Sequence, residues 1–190
     1  SPEAWSLFAT LGVFGSEPMP LSWATAAAGV PPGVGQAAAS ELLDAQVVNL
    51  YQQARADDLE PWLRLATHPA AAARSLLGER FATTRARLAA HVIAQLATSR
   101  AQAPAALVRY YKRHQALLLT LRRSLADGLG EPRQISEITS PEEVAPRPID
   151  PERALLLLDL IIAVSPLLLD QTVADSGLWL SLGLVAARSV

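Results

Sequence analysis

The stretch VVNLYQ at residues 47–52, with WLRLA at residues 62–66, decides how the rest of the chain is read. Val47, Val48, Leu50 and Tyr51 are β-branched, apolar or aromatic, and such a short run suits a strand. Ala54-Arg55-Ala56-Asp57-Asp58 is polar and reads as a turn. Trp62-Leu63-Arg64-Leu65-Ala66 then resumes the strand pattern. The two runs predict a β-hairpin inside an otherwise helical chain.

Three helices are expected ahead of the hairpin. Ser1 and Pro2 suit the N-cap and first helical position, with Glu3 favourable in the first turn. That helix is expected to run to about Val13, with Trp5, Leu7, Phe8 and Leu11 apolar, until Gly15-Ser16-Glu17-Pro18 breaks it. The second runs from Pro20 to Ala28 and stops at Gly29. Pro31-Pro32-Gly33 reads as a turn, and the third helix covers Gln36 to Ala45, with Ala38, Leu42 and Leu43 apolar. Behind the hairpin, Thr67-His68-Pro69 opens a long helix through Leu76, Phe81, Leu88, Val92 and Leu96, with Gly78 or Thr83 as its break. Pro104 starts another, reaching Ala126 and stopped by Asp127-Gly128. Glu131 to Asp150 holds four prolines and five acids and reads as a linker or surface loop. Pro151 begins a very apolar helix, Ala154 to Leu169, and a last helix runs from Asp175 to Arg188.

Composition agrees with a helical reading. Ala and Leu supply more than a third of the 190 residues, while aromatics are 5%. Hydrophobic residues are 51% and charged residues 18%, which argues against disorder for most of the chain. There is no cysteine, so disulfides, thiol nucleophiles and Cys-based metal sites are excluded, and a cytoplasmic protein is the simplest expectation. No basic region followed by an apolar core marks a leader at SPEAW, and a chain opening directly on a capped helix reads as a piece trimmed from a longer one. Ala154 to Leu169 is 16 residues with Asp159 and Pro166 inside, short of the roughly 20 a membrane span needs.

A family resemblance rests on these residues in series. Trp5-Ser-Leu-Phe-Ala-Thr-Leu-Gly-Val-Phe14, Glu17-Pro-Met-Pro-Leu-Ser-Trp23, Glu41-Leu-Leu-Asp-Ala-Gln-Val-Val-Asn-Leu50 and Leu63-Arg-Leu-Ala-Thr-His68-Pro69 resemble the winged-helix domain of bacterial STAND or NB-ARC signal-transduction ATPases of the AfsR-like kind. The resemblance covers about residues 4 to 82. It implies a mainly α fold: a winged helix over 1–82, a linking helical segment over 83–130, the linker 131–150, and a helical hairpin over 151–190. Asp150-Pro-Glu-Arg-Ala154 and Gly177-Leu-Trp-Leu180 look like the start of a tetratricopeptide-like array, without a clean 34-residue repeat. In such proteins the winged helix is one arm of a nucleotide switch. The family's MHD histidine falls on His68, which would face the ADP phosphates in an intact parent. Pro69 stands where the family has an acid and Thr67 where it has Met. The bland alternative is a histidine that only caps the turn.

The chemistry of an enzyme is missing. No G-x-x-x-x-G-K-[ST] loop exists, and Lys112 follows Tyr110-Tyr111 rather than glycines. The stretch itself is therefore expected to hold no cofactor, with ADP or ATP belonging to the parent. His68, His91 and His114 lie in three segments with no i, i+4 pair, so a zinc site is not expected. No G-x-S-x-G elbow is present. Asp57-Asp58 and Glu142-Glu143 read as solvated loop charges. DNA affinity comes largely from cations that neutralise phosphates, yet residues 1–54 contain no Lys or Arg and carry four acids. Specific nucleic acid is not an expected partner. Between Arg74 and Arg123 ten basic residues meet one acid, Glu79. Arg109, Lys112 and Arg113 fall at i, i+3, i+4 and share a helix face, either a solvated one or a docking face for an acidic protein.

The function expected is a non-catalytic module passing state between an absent ATPase domain and a helical sensor. Its partners would be that ATPase domain and further helical repeats. The alternatives are a freestanding helical protein-binding scaffold and an all-helical ligand-sensing repressor. Leu155 to Ile162 is almost unbroken apolar sequence, so a strip including Leu156 and Leu160 is expected to seek further repeats or a second copy.

Overall fold

A computed structural model of the chain describes residues 1–15, 17–51, 60–66, 69–126, 150–168, 179–180, 182–184 and 186–187. These residues are mainly helical with one small antiparallel sheet. The order is α1 Pro2–Leu11, β1 Met19–Pro20, α2 Leu21–Ala28, α3 Pro32–Asp44, β2 Val48–Tyr51, β3 Trp62–Leu65, α4 Pro69–Leu77, α5 Phe81–Gln102, α6 Pro104–Ala126 and α7 Pro151–Leu168. Residues 179, 180, 182–184, 186 and 187 are also helical. The chain divides into two compact units, Ser1–Val92 and Ile93–Val190.

In Ser1–Val92, α1 is the element the others pack on. It touches α2, α3, α4 and β3. Leu7, Phe8 and Leu11 of α1 are buried, as are Trp23, Ala27, Leu42, Leu63 and Leu65 on the elements that it touches. Each such large apolar side chain contributes about 1.5–3 kcal/mol. The Ser1 hydroxyl accepts the Ala4 N–H at 3.2 Å and caps the helix. Helix α2 ends at Gly29, whose φ of 71° lets the Val30 N–H reach the Thr25 carbonyl at 2.9 Å. Helix α3 closes the same way, with the Val47 N–H on the Leu42 carbonyl, but a glutamine holds the left-handed position: Gln46 has φ 57°. That turn swings the chain from α3 into β2.

The hairpin lies as its sequence predicts, with Val48 opposite Leu65 and Tyr51 opposite Trp62. Its tip falls in residues 52–59, outside the described residues. A third strand was not expected. Met19 and Pro20 pair with Leu63 and Trp62, so β3 is central and the order is β1-β3-β2. Pro20 lacks an N–H, which suits an edge strand. Helix α2 starts behind a proline that offers no side-chain cap. The Pro61 carbonyl accepts the Leu21 N–H at 2.9 Å, and the Glu60 carboxylate accepts the Ser22 N–H at 3.2 Å. Helix α3 starts at Pro32 rather than Gln36, because proline at the first position needs no donor and presets φ. The helix expected after His68 breaks at Gly78, where a 3-10 turn, Gly78–Arg80, separates α4 from α5.

In Ile93–Val190, α6 and α7 pack together. Helix α6 buries Leu107, Tyr111, His114, Leu118, Leu121 and Leu125, spaced alternately three and four apart. Helix α7 answers with Ala154, Leu157, Ile161, Val164 and Leu168 in the same spacing. This heptad rhythm is what two helices crossing at a shallow angle require. The Arg153 Nε donates to the Leu125 carbonyl at 2.7 Å, placing a cation on the α6 C-terminus. Trp179, Leu182 and Ala186 are buried, and a Cβ on Gly183 would lie 3.5 Å from Ile161. No helix among the described residues is long and apolar enough to cross a membrane.

The approach of α1 to α4 gives a first test. A Cβ on Gly12 would sit 2.6 Å from the Arg74 nitrogen and 2.8 Å from the Ala73 carbonyl carbon, both backbone atoms. Gly12→Ala must push α4 away and should cost about 1–3 kcal/mol in urea unfolding. Gly33→Ala, on α3 with nothing within 4 Å, should raise stability by roughly 0.5–1 kcal/mol. Equal midpoints for the two variants would remove the close approach from the account.

Candidate functional site

The strongest candidate surface is the solvent face of α6. Helix α6 places successive residues 100° apart, so positions 105, 109, 112, 113, 116, 120 and 123 share a stripe. That stripe lies opposite the buried Leu107–Leu125 series. Arg109, Lys112 and Arg123 are exposed on it. Arg113 sits at its edge, half-buried, and burial holds its pKa below the usual arginine value. Arg123 was not grouped with the others in the sequence, because it stands two heptads beyond Arg109 and joins them only if the helix runs unbroken. Between the cations, Ala116 is small and the Thr120 hydroxyl donates to the Ala116 carbonyl at 3.0 Å. The hydrogen of that hydroxyl is thereby occupied.

Other cations of the Arg74–Arg123 region serve the fold. The guanidinium groups of Arg74 and Arg85 lie 5.5 and 5.4 Å from the Phe81 ring centre. Arg122 is buried, 4.7 Å from the Trp179 ring centre. Each such cation–π contact contributes about 0.5–2 kcal/mol.

The remaining candidates are dispersed. His68 lies outside the described residues, as do Asp57, Asp58, Glu142 and Glu143. Leu156 is half-buried. Leu160 is 0% exposed, so it belongs to the core of Ile93–Val190 and not to an outward strip. An unbroken leucine run does not say which side faces inward; the heptad packing against α6 turns Leu157, Leu160 and Ile161 in. The outward apolar residues of α7 are Leu155 and Ile162, the latter 59% exposed. Leu180 and Leu184 are exposed on the following helical residues. On α3 the exposed positions include Gln36, Ala37, Ser40, Glu41 and Asp44, with no cation. Among the described residues no group of His, Asp or Glu could hold a metal ion.

Two histidines, His91 and His114, are withdrawn from solvent in part or whole. His114 is buried on α6, its Nδ1–H donating to the Tyr110 carbonyl at 2.9 Å, and its ring centre lies 4.3 Å from that of Tyr110. Burial, opposed by that hydrogen bond and aided by the charge of Arg113, pushes His114 down from 6.5 to about 4. His91 is lowered too, by burial. A histidine whose folded pKa is depressed stabilises the fold fully above its unfolded pKa. That stability is lost as pH falls from about 6.5 towards about 4. The shift corresponds to roughly 3 kcal/mol. Urea unfolding of His114→Gln should therefore show a shallower loss between pH 7 and pH 4 than the parent chain. Parallel pH profiles would assign the acid sensitivity elsewhere.

Set against family models, curated proteins and solved structures, the chain matches none.

Proposed function

We propose that the chain is a non-catalytic regulatory and interaction module of a larger nucleotide-switch protein of the STAND or NB-ARC kind. One observation carries the reading: the order α1-β1-α2-α3-β2-β3, with β3 between β1 and β2. Three helices, a hairpin and a short strand on the far side of the central one are the layout of a winged helix. In a DNA-binding winged helix the third helix enters the groove and needs cations. Here the exposed side of α3 carries Glu41 and Asp44, which favours a protein contact instead. In this reading Ser1–Val92 leans on the ATPase domain of the parent, with His68 towards the ADP phosphates. The α6–α7 pair then begins a tetratricopeptide-like sensor. The basic α6 stripe gives independent support to a second reading, a helical protein-binding scaffold.

The longer reading frame is the test. A coding region with a phosphate loop should directly precede Ser1. In that longer protein His68→Ala should release ADP about tenfold faster or more, since a charge-assisted bond to phosphate contributes about 1.5–3 kcal/mol, and basal signalling should rise. The 190-residue chain alone should give no calorimetric response to ADP. Micromolar ADP binding by the chain alone, or wild-type ADP retention in the His68 variant, would sink the proposal.

A further inference from the structure

We infer that the α6 stripe is a docking surface for an acidic amphipathic helix of a partner protein. The stripe belongs to Ile93–Val190 and does not depend on the nucleotide-switch reading. Within that unit, residues 93–126 carry six Arg or Lys residues and no acid. No carboxylate among the described residues pairs with Arg109, Lys112 or Arg123. Their charge is therefore not neutralised by a carboxylate of the described fold.

The spacing selects the partner. Arg109 and Lys112 form one cationic point, and Arg123 forms another about 16 Å further along the helix axis. Ala116 and Thr120 lie between them, and the Thr120 hydroxyl donates to its own backbone. The stripe is cationic at two ends with a small, weakly polar centre. A nucleic-acid backbone presents evenly spaced phosphates and favours a continuous row of cations. A helix of three to four turns, carrying carboxylates near both ends and Ala or Leu between, matches both charge points and the shallow centre. Its carboxylates would meet the guanidinium and ammonium groups while its apolar side packs over Ala116.

Two synthetic helical peptides of about 18 residues test this. Both carry the same four glutamates with alanine and leucine. One groups the glutamates in two pairs about eleven residues apart, and the other spreads them evenly. The paired peptide should bind the chain by fluorescence anisotropy in low salt, at least about fivefold more tightly than the spread one. Arg109→Glu/Lys112→Glu/Arg123→Glu should weaken it about tenfold or more. Arg123→Ala alone should abolish the preference between the peptides. These side chains are exposed, so circular dichroism melts should match the parent chain and separate lost binding from lost folding. Equal binding of the two peptides, no binding of either, or tighter binding of a 20-base-pair duplex than of the paired peptide would each overturn the inference.

Discussion

The last part of α1, Leu7–Leu11, can be buried on all sides only because its residues are apolar or self-satisfied, and Ser1–Val92 is assembled around that fact. Leu7 to Leu11 are five consecutive buried residues, more than one full turn. A polar residue among them would ordinarily be costly. Thr10 escapes the penalty because its hydroxyl donates to the Ser6 carbonyl at 2.8 Å, within the same helix. With every direction around Leu7–Leu11 available for packing, α2, α3, α4 and β3 each pack on α1. Gly12 then ends the helix without a side chain, and α4 comes in against its backbone.

Elements whose limits depend on local chemistry were legible in the sequence. Pro104 and Pro151 open α6 and α7 at the first helical position. Gly29 and Gly78 stop or break helices. Strand β1 was not legible, because two residues carry no period. It exists through its pairing with Trp62 and Leu63, a tertiary fact. The start of α3 was read late because Pro31-Pro32-Gly33 suits a turn as well as a first helical turn. What decides is packing: Gly35 is buried against the Thr25 side chain, which needs the helix already formed there. On the candidate surface, Arg109 and Lys112 were legible from their i, i+3 spacing. Leu160 was placed outward because a continuous leucine run has no amphipathic signal of its own.

The cations of Arg74–Arg123 illustrate how one composition serves two purposes. A guanidinium is planar and weakly hydrated, so it can lie over Phe81 or Trp179 at modest desolvation cost. Lysine, a compact and strongly hydrated charge, does this less well. The one lysine of the chain, Lys112, is on the exposed stripe, while buried Arg122 lies over an indole. A high arginine content is thus compatible with a dense apolar interior as well as with a charged exterior.

The pairing of β1 with β3 also bears on how the chain acquires its structure. Leu63 lies about forty positions after Met19, and α2, α3 and β2 fall between them. Closing so long a loop is entropically slow, and it brings little reward until the intervening helices are compact. Helices α5 and α6, by contrast, are built wholly from neighbours in sequence and can form on their own timescale. The sheet of Ser1–Val92 therefore waits on one distant strand contact.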